Sequence, residues 1–255
     1  MIDLRLGDCL EVMKLIPDGS IDAIITDPPY GTTACKWDSV IDFDLMWEQL
    51  NRIIKPNGAI VLFGSEPFSS ALRMSNIKNY KYDWIWEKET HSNFFQAKYC
   101  PLSRTENISV FGEFGMNSGA KKIGTYNPQG VIEINKKKKD SGYGDRKMGL
   151  AHSSTLVKGA EYVQKFTNYP QRLQKFNRDK NAVHPTQKPI ALMEYLIKTY
   201  TNESETVLDF TMGSGSTGVA AKNLNRKFIG IEQDENYFKI AKERINKEEK
   251  QLKIL

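Results

Sequence analysis

The sequence predicts an α/β protein: a mixed sheet flanked by helices, with a separate module inserted into the middle of the chain. Short β-rich runs alternate with amphipathic stretches at both ends of the chain. A glycine-rich turn directly follows one of the C-terminal strands. Between them, the irregular stretch from about 90 to 182 lacks core-forming periodicity and is too long for an ordinary loop.

In chain order, 2–6 and 21–26 read as strands, and 43–54 reads as a helix with Phe43, Met46, Trp47, Leu50, Ile53 and Ile54 on one face. Strands follow at 59–63 and 82–86. The rhythm resumes with a helix at 189–200, where Pro189 suits the first turn, a strand at 206–209, a helix at 216–224, a strand at 227–231 and a helix from 235. This organisation predicts three parts: 1–90, an inserted region 91–182, and 183–255.

A chain of 255 residues, 40% apolar and 26% charged, has the composition of a globular protein. Apolar runs such as 21–25 and 59–63 fall far short of the roughly 20 residues that cross a bilayer. The first residues, MIDLRLGDCLEV, lack a basic leader and a long apolar run, so no secretory signal is read and a cytoplasmic location is expected. Cys9, Cys35 and Cys100 form no CxxC pair, and His91, His152 and His184 no HExxH pair. Neither a disulfide framework nor a metal is expected.

The net charge of +5 is unevenly spread. Residues 116–188 hold 15 Lys/Arg against 5 Asp/Glu, while the rest of the chain carries an excess of acid. Aromatic residues, Tyr126, Tyr143, Tyr162, Phe166, Tyr169 and Phe176, are interleaved with these cations. Either this is a solvated insertion or it is a polyanion-binding arm, since cations beside aromatics serve phosphate contact and base stacking. On the second reading Lys136, Lys137, Lys138, Lys139, Arg146, Lys147 and Arg172 are the candidate nucleic-acid contacts.

In VLDFTMGSGSTG, residues 207–218, Gly213, Gly215 and Gly218 form GxGxxG after a strand, and Glu232 ends the next strand. Such glycines admit a nucleotide-type cofactor to the backbone, and the acid can accept ribose hydroxyls. The sheet is therefore expected to be Rossmann-like. A nicotinamide enzyme fits the turn poorly, because only 37 residues follow Gly218 and the remaining strands must come from earlier in the chain.

IDAIITDPPYG, residues 21–31, is an apolar strand ending in Asp27, Pro28, Pro29 and Tyr30. The prolines remove two backbone donors, leaving the carbonyls of Asp27 and Pro28 free to point outward. With the Asp27 carboxylate and the flat Tyr30 face they suit a planar group bearing an NH2, such as a nucleobase amine.

DPPY after an apolar strand, HPTQKP at 184–189, and LDFTMGSGSTG with FIGIE at 228–232 resemble the DNA amino-methyltransferases that use S-adenosylmethionine. The motif order, catalytic first and cofactor last, resembles their circularly permuted beta group. The resemblance covers 1–90 and 183–250 and makes 91–182 a target-recognition region. It implies N6 methylation of a flipped-out adenine in double-stranded DNA, with Asp27, Pro28, Pro29 and Tyr30 catalytic and Tyr30 stacked on the base. N4-cytosine methylation is the alternative, although enzymes of that activity more often carry Ser in place of Asp27.

The resemblance further implies a cofactor site made of Asp209, Phe210, Thr211, Met212, Gly213, Ser214, Gly215 and Glu232, with Thr186 and Lys188 near the methionine tail. Asp8 and Cys9 match the segment lining the cofactor's adenine, although Asp8 also suits a simple helix cap. Phe210 and Thr211 depart from the Pro and Phe that many relatives have after the strand Asp. A homodimer and an associated restriction endonuclease are the partners expected besides DNA.

Overall fold

The computed structural model describes residues 1–32, 39–116, 119–139, 161–180 and 187–251. In its first half the elements are β1 (Ile2–Leu6), α1 (Cys9–Met13), β2 (Ile21–Thr26), α2 (Phe43–Ile53), β3 (Ile54–Gly64), α3 (Phe68–Ser75), β4 (Tyr80–Ser92) and β5 (Ser103–Phe111). There follow β6 (Ile132–Lys139), β7 (Glu161–Thr167), β8 (Leu173–Lys175), α4 (Ile190–Tyr200), β9 (Thr206–Asp209), α5 (Ser216–Asn223), β10 (Lys227–Glu232) and α6 (Glu235–Gln251). They form two compact units, Met1–Asn127 with Arg172–Leu255, and Pro128–Gln171.

The first unit is an eight-stranded sheet in the order β1-β10-β9-β2-β3-β5-β4-β8. From β1 to β3 every pairing is parallel, whereas β5 runs antiparallel to both β3 and β4. The sheet is mixed for that reason. Strand β2 is buried along its whole length, as a central strand covered on both faces must be. Along β3 the alternation is plain: Ala59, Val61 and Phe63 pack with α4, α5 and α6, while Ile60 and Leu62 pack with α1, α2 and α3. Helix α2 starts where the Asp42 carboxylate accepts the Leu45 N–H at 3.0 Å.

The two ends of the chain share this sheet. Strand β2 lies beside β9, and β1 beside β10 with Leu6 opposite Glu232. The carboxyl ends of β2 and β9 therefore stand side by side where the chain order reverses, which is where open α/β sheets hold their ligands. The 91–182 stretch contributes β5 and β8 to this sheet, and its separately packed part is 128–171. In β5 only the second half, where Ile108, Val110 and Phe111 are buried, resembles a core strand; its polar first half hides it in the sequence. The second unit is the antiparallel ribbon β6–β7, with every residue of β6 exposed.

Candidate active site

A cavity of about 400 Å³ opens at the carboxyl ends of β2 and β9, within the range of small-ligand sites. Asp27, Pro28, Pro29 and Tyr30 line one side; Phe210, Thr211, Met212, Gly213, Ser214 and Glu232 line another, with Asp8 and Cys9 adjoining.

The two strand ends are joined through Asp209. Its Oδ1 accepts the Thr26 hydroxyl at 2.5 Å and the Thr211 N–H at 3.2 Å, and its Oδ2 accepts the Thr217 hydroxyl at 2.5 Å. Burial pushes this carboxyl up to about 6, against the pull of those donors. Asp209 thus spends its hydrogen bonds on the turn, the start of α5 and the end of β2. The Thr26 hydroxyl also accepts the Phe210 N–H at 3.0 Å, holding a ring that is only 1% exposed. One expectation is corrected here: the Asp27 carbonyl does not point outward unpaired, because it accepts the Thr211 hydroxyl at 3.1 Å. A threonine two residues beyond the β9 end reaches the neighbouring strand, and nothing in the local sequence of β2 reveals it.

Gly213 and Gly215 have φ of 51° and 82°, the left-handed region that favours glycine. A Cβ on Gly213 would meet open space, and Glu232 Oε2 accepts the Gly213 N–H at 2.8 Å. Oε1 accepts the Asp234 N–H at 2.8 Å. A carboxylate offers about four acceptor directions; with the Gln233 backbone N–H also directed at it, Glu232 retains capacity for a further hydroxyl. Asp8 caps α1, accepting the Leu10 and Glu11 N–H groups at 2.9 and 3.3 Å, and also lines the cavity beside Glu232. Burial pushes the Cys9 thiol up to about 12, so it serves as a neutral wall. These residues suit a nucleoside with free ribose hydroxyls.

Opposite them lies a group of charges drawn from four segments. Lys188 Nζ is 2.5 Å from Asp27 Oδ2 and 2.9 Å from Glu106 Oε1; Lys88 Nζ is 2.7 Å from Glu106 Oε2. The Tyr30 hydroxyl lies against Asp27 Oδ1 and, at 2.9 Å, Glu106 Oε1. Its ring stacks on Phe68 with centroids 5.0 Å apart. Burial pushes the Asp27 carboxyl up, opposed by the Lys188 ammonium. For Glu106 burial acts in the same upward sense, but Lys188 and Lys88 outweigh it and hold the carboxyl at about 2. Burial and both carboxylates keep the Tyr30 phenol protonated.

Lys188, expected near the cofactor, thus places its ammonium on Asp27. Sequence reasoning missed Glu106 and Lys88 altogether; a lone acid just before the apolar run of β5 was their only signal. Among the DNA-contact candidates, Lys136, Lys137, Lys138 and Lys139 lie on the exposed strand β6. Arg172 is held by Asp83, donating from Nε to its carbonyl at 2.9 Å and ion-pairing with its carboxylate. Arg146, Lys147, Thr186 and His184 lie outside the described residues. No group of acids, histidines and cysteines that could hold a metal occurs among the described residues, and no described helix is long and apolar enough to cross a membrane.

An open sheet with a glycine turn and ribose-type acid facing a carboxylate–proline strand end defines an enzyme that brings a nucleoside cofactor to a planar amine. The family model for N6/N4 DNA methylases matches residues 21–243, and the chain belongs to that family. It is 30% identical to the Type II methyltransferase M2.LlaDCHI of Lactococcus lactis subsp. cremoris, over 94% of this chain and 88% of that protein. The crystal structure of the M1.HpyAVI–SAM complex is 28% identical, with a TM-score of 0.59 over 96% of this chain and 100% of that one. The cytosine-N4-specific PvuII DNA methyltransferase shares the fold, at 16% identity and a TM-score of 0.65 over 96% of this chain and 90% of that one.

Proposed function

We propose that this chain is a Type II methyltransferase that transfers a methyl group from S-adenosylmethionine to the exocyclic N6 amine of an adenine turned out of duplex DNA. The observation that carries the reading is the placement of Asp27, at the carboxyl end of β2, directly beside the glycine turn that follows β9. Asp27 supplies a carboxylate where an amine proton can be accepted. The carboxylate also favours adenine over cytosine N4, whose enzymes often have a serine there. Expression in a methylation-free host, followed by mass spectrometry of the digested DNA, is expected to yield N6-methyladenine. N4-methylcytosine in its place would reverse the base assignment.

S-adenosylmethionine, when bound, supplies an electrophilic methyl group. Glu232, Gly213 and Asp8, which line the cavity, would hold and orient its nucleoside end. Asp27 accepts an N–H of the base amine, with the Pro28 carbonyl as a second acceptor, which favours lone-pair density on the nitrogen. Strand β2, packed on both faces, keeps these acceptors in place, so positioning rather than covalent chemistry does most of the work. Glu232→Ala is expected to weaken cofactor binding by roughly 1–3 kcal/mol, since buried hydroxyls lose their acceptor. Unchanged affinity by calorimetry would move the ribose site elsewhere.

The ribbon β6–β7 offers cations on both of its faces, because successive residues of a strand alternate. A two-stranded ribbon fits the major groove. Neutralising Lys136 to Lys139 together is expected to weaken binding to every DNA sequence and to flatten the slope of log affinity against log salt by about 0.9 for each phosphate no longer neutralised. A slope equal to that of the parent protein would make the run a solvated surface.

A further inference from the structure

We propose that Glu106 and Lys88, outside the strand-end motif, form a charge clamp that holds Lys188 between two carboxylates and so governs how freely Asp27 accepts the target amine. The inference rests on the reading of Asp27 given above. Its basis is the sharing of one ammonium: Lys188 Nζ contacts Asp27 at 2.5 Å and Glu106 at 2.9 Å, while the second Glu106 oxygen is taken by Lys88 at 2.7 Å. Glu106 also faces the single proton of the Tyr30 hydroxyl, which Asp27 shares. Two cations and two anions cancel. Glu106 and Lys188 are 5% and 8% exposed.

A buried cluster of four charges gains little over well-packed apolar residues, so stability alone does not account for it. Its effect on Asp27 does. If Glu106 were neutral, Asp27 would be the sole full counter-charge of Lys188, and its lone pairs would be held by that ammonium. With Glu106 ionised, Lys188 has a second seat, and Asp27 can turn a lone pair to an incoming amine. Glu106 and Lys88 are therefore positioning residues that act through Lys188.

Asp27 is faced by Lys188 ahead of α4, Glu106 on β5, the Tyr30 phenol, and Asp209 at the end of β9. Lys88 on β4 is joined to Glu106. Among the described residues Asp8, Asp42, Arg178 and Glu232 are the other charged groups lining the cavity.

The test uses Glu106→Gln and Lys88→Met in the full chain. Glu106→Gln keeps the shape but removes a negative charge that holds the Asp27 carboxyl up. The acid limb of the single-turnover methylation profile should move to lower pH, by about one unit. The plateau rate should fall on the order of tenfold, with S-adenosylmethionine affinity unchanged. Lys88→Met leaves Glu106 less neutralised, so its acid limb should move to higher pH. A 13C carboxyl titration of Asp27 in the cofactor-free protein should show the same opposite displacements. That readout needs no DNA, so its failure is distinguishable from failure of the reading of Asp27 as the amine's acceptor, which an active Asp27→Ala enzyme would report. Displacements in one direction for both variants, or none in either, would overturn the clamp even if activity fell.

Discussion

Asp27→Ala is expected to slow methyl transfer at least about 100-fold, the scale of removing one preorganised electrostatic interaction with the reacting group. Cofactor affinity should be nearly unchanged. The reason lies in how the site is divided: the glycine turn is held by Asp209 and Glu232, through Thr211, Thr217 and Gly213, and none of those hydrogen bonds ends on the Asp27 side chain. Removing the carboxylate leaves Lys188 paired with Glu106 at 2.9 Å, so the ammonium is not stranded and the fold should tolerate the change. Rapid-quench measurement of a single turnover, with calorimetry of the cofactor, separates the two effects. A variant that methylates DNA at the parent rate would remove Asp27 from the chemistry.

What could be read beforehand follows the range over which each signal acts. The apolar run ending in Asp27-Pro28-Pro29-Tyr30 and the glycine turn after β9 are local patterns, and both appear at the expected strand ends. That strands from both ends of the chain share one sheet follows from counting strands, since the C-terminal part alone is too short to complete a sheet; that β2 pairs with β9 and β1 with β10 is seen only in the structure. Glu106 and Lys88 were illegible for the opposite reason. They come to the site only because β5 runs antiparallel between β3 and β4, a pairing that depends on contacts distant in sequence. The polar residues of β4 after Trp86, and of β5 before Ile108, read as loop although they are strand. Lys188 was legible as part of a motif, but the partner of its ammonium was not, because a lysine's long stem can present its charge well away from its backbone.

Lys188→Met should have the largest effect on stability. Methionine has a similar length and no charge, so the change removes the ammonium from a buried group while roughly conserving volume. Breaking a buried pair from one side costs about 3–5 kcal/mol, because the partner charge is left uncompensated. For a chain of this size that lowers the melting temperature on the order of 10 °C. The pH dependence identifies the cause. In the parent protein Glu106 is held at about 2 against an ordinary 4.5, so its contribution is present above about 4.5 and lost as pH falls through 2. In the variant Asp27 loses the ammonium that opposes burial and the Glu106 charge. Its folded-state value, already above the unfolded one in the parent, then rises further, so the folded variant takes up a proton that the unfolded chain does not over a wider pH range than the parent does. That linkage favours the folded variant as pH falls, so its deficit relative to the parent is greatest at neutral pH and narrows toward pH 5. Thermal denaturation at both pH values measures the difference directly. A variant melting within about 2 °C of the parent at neutral pH, less than one kcal/mol for this size, would show that Tyr30 and solvent satisfy Asp27 without Lys188.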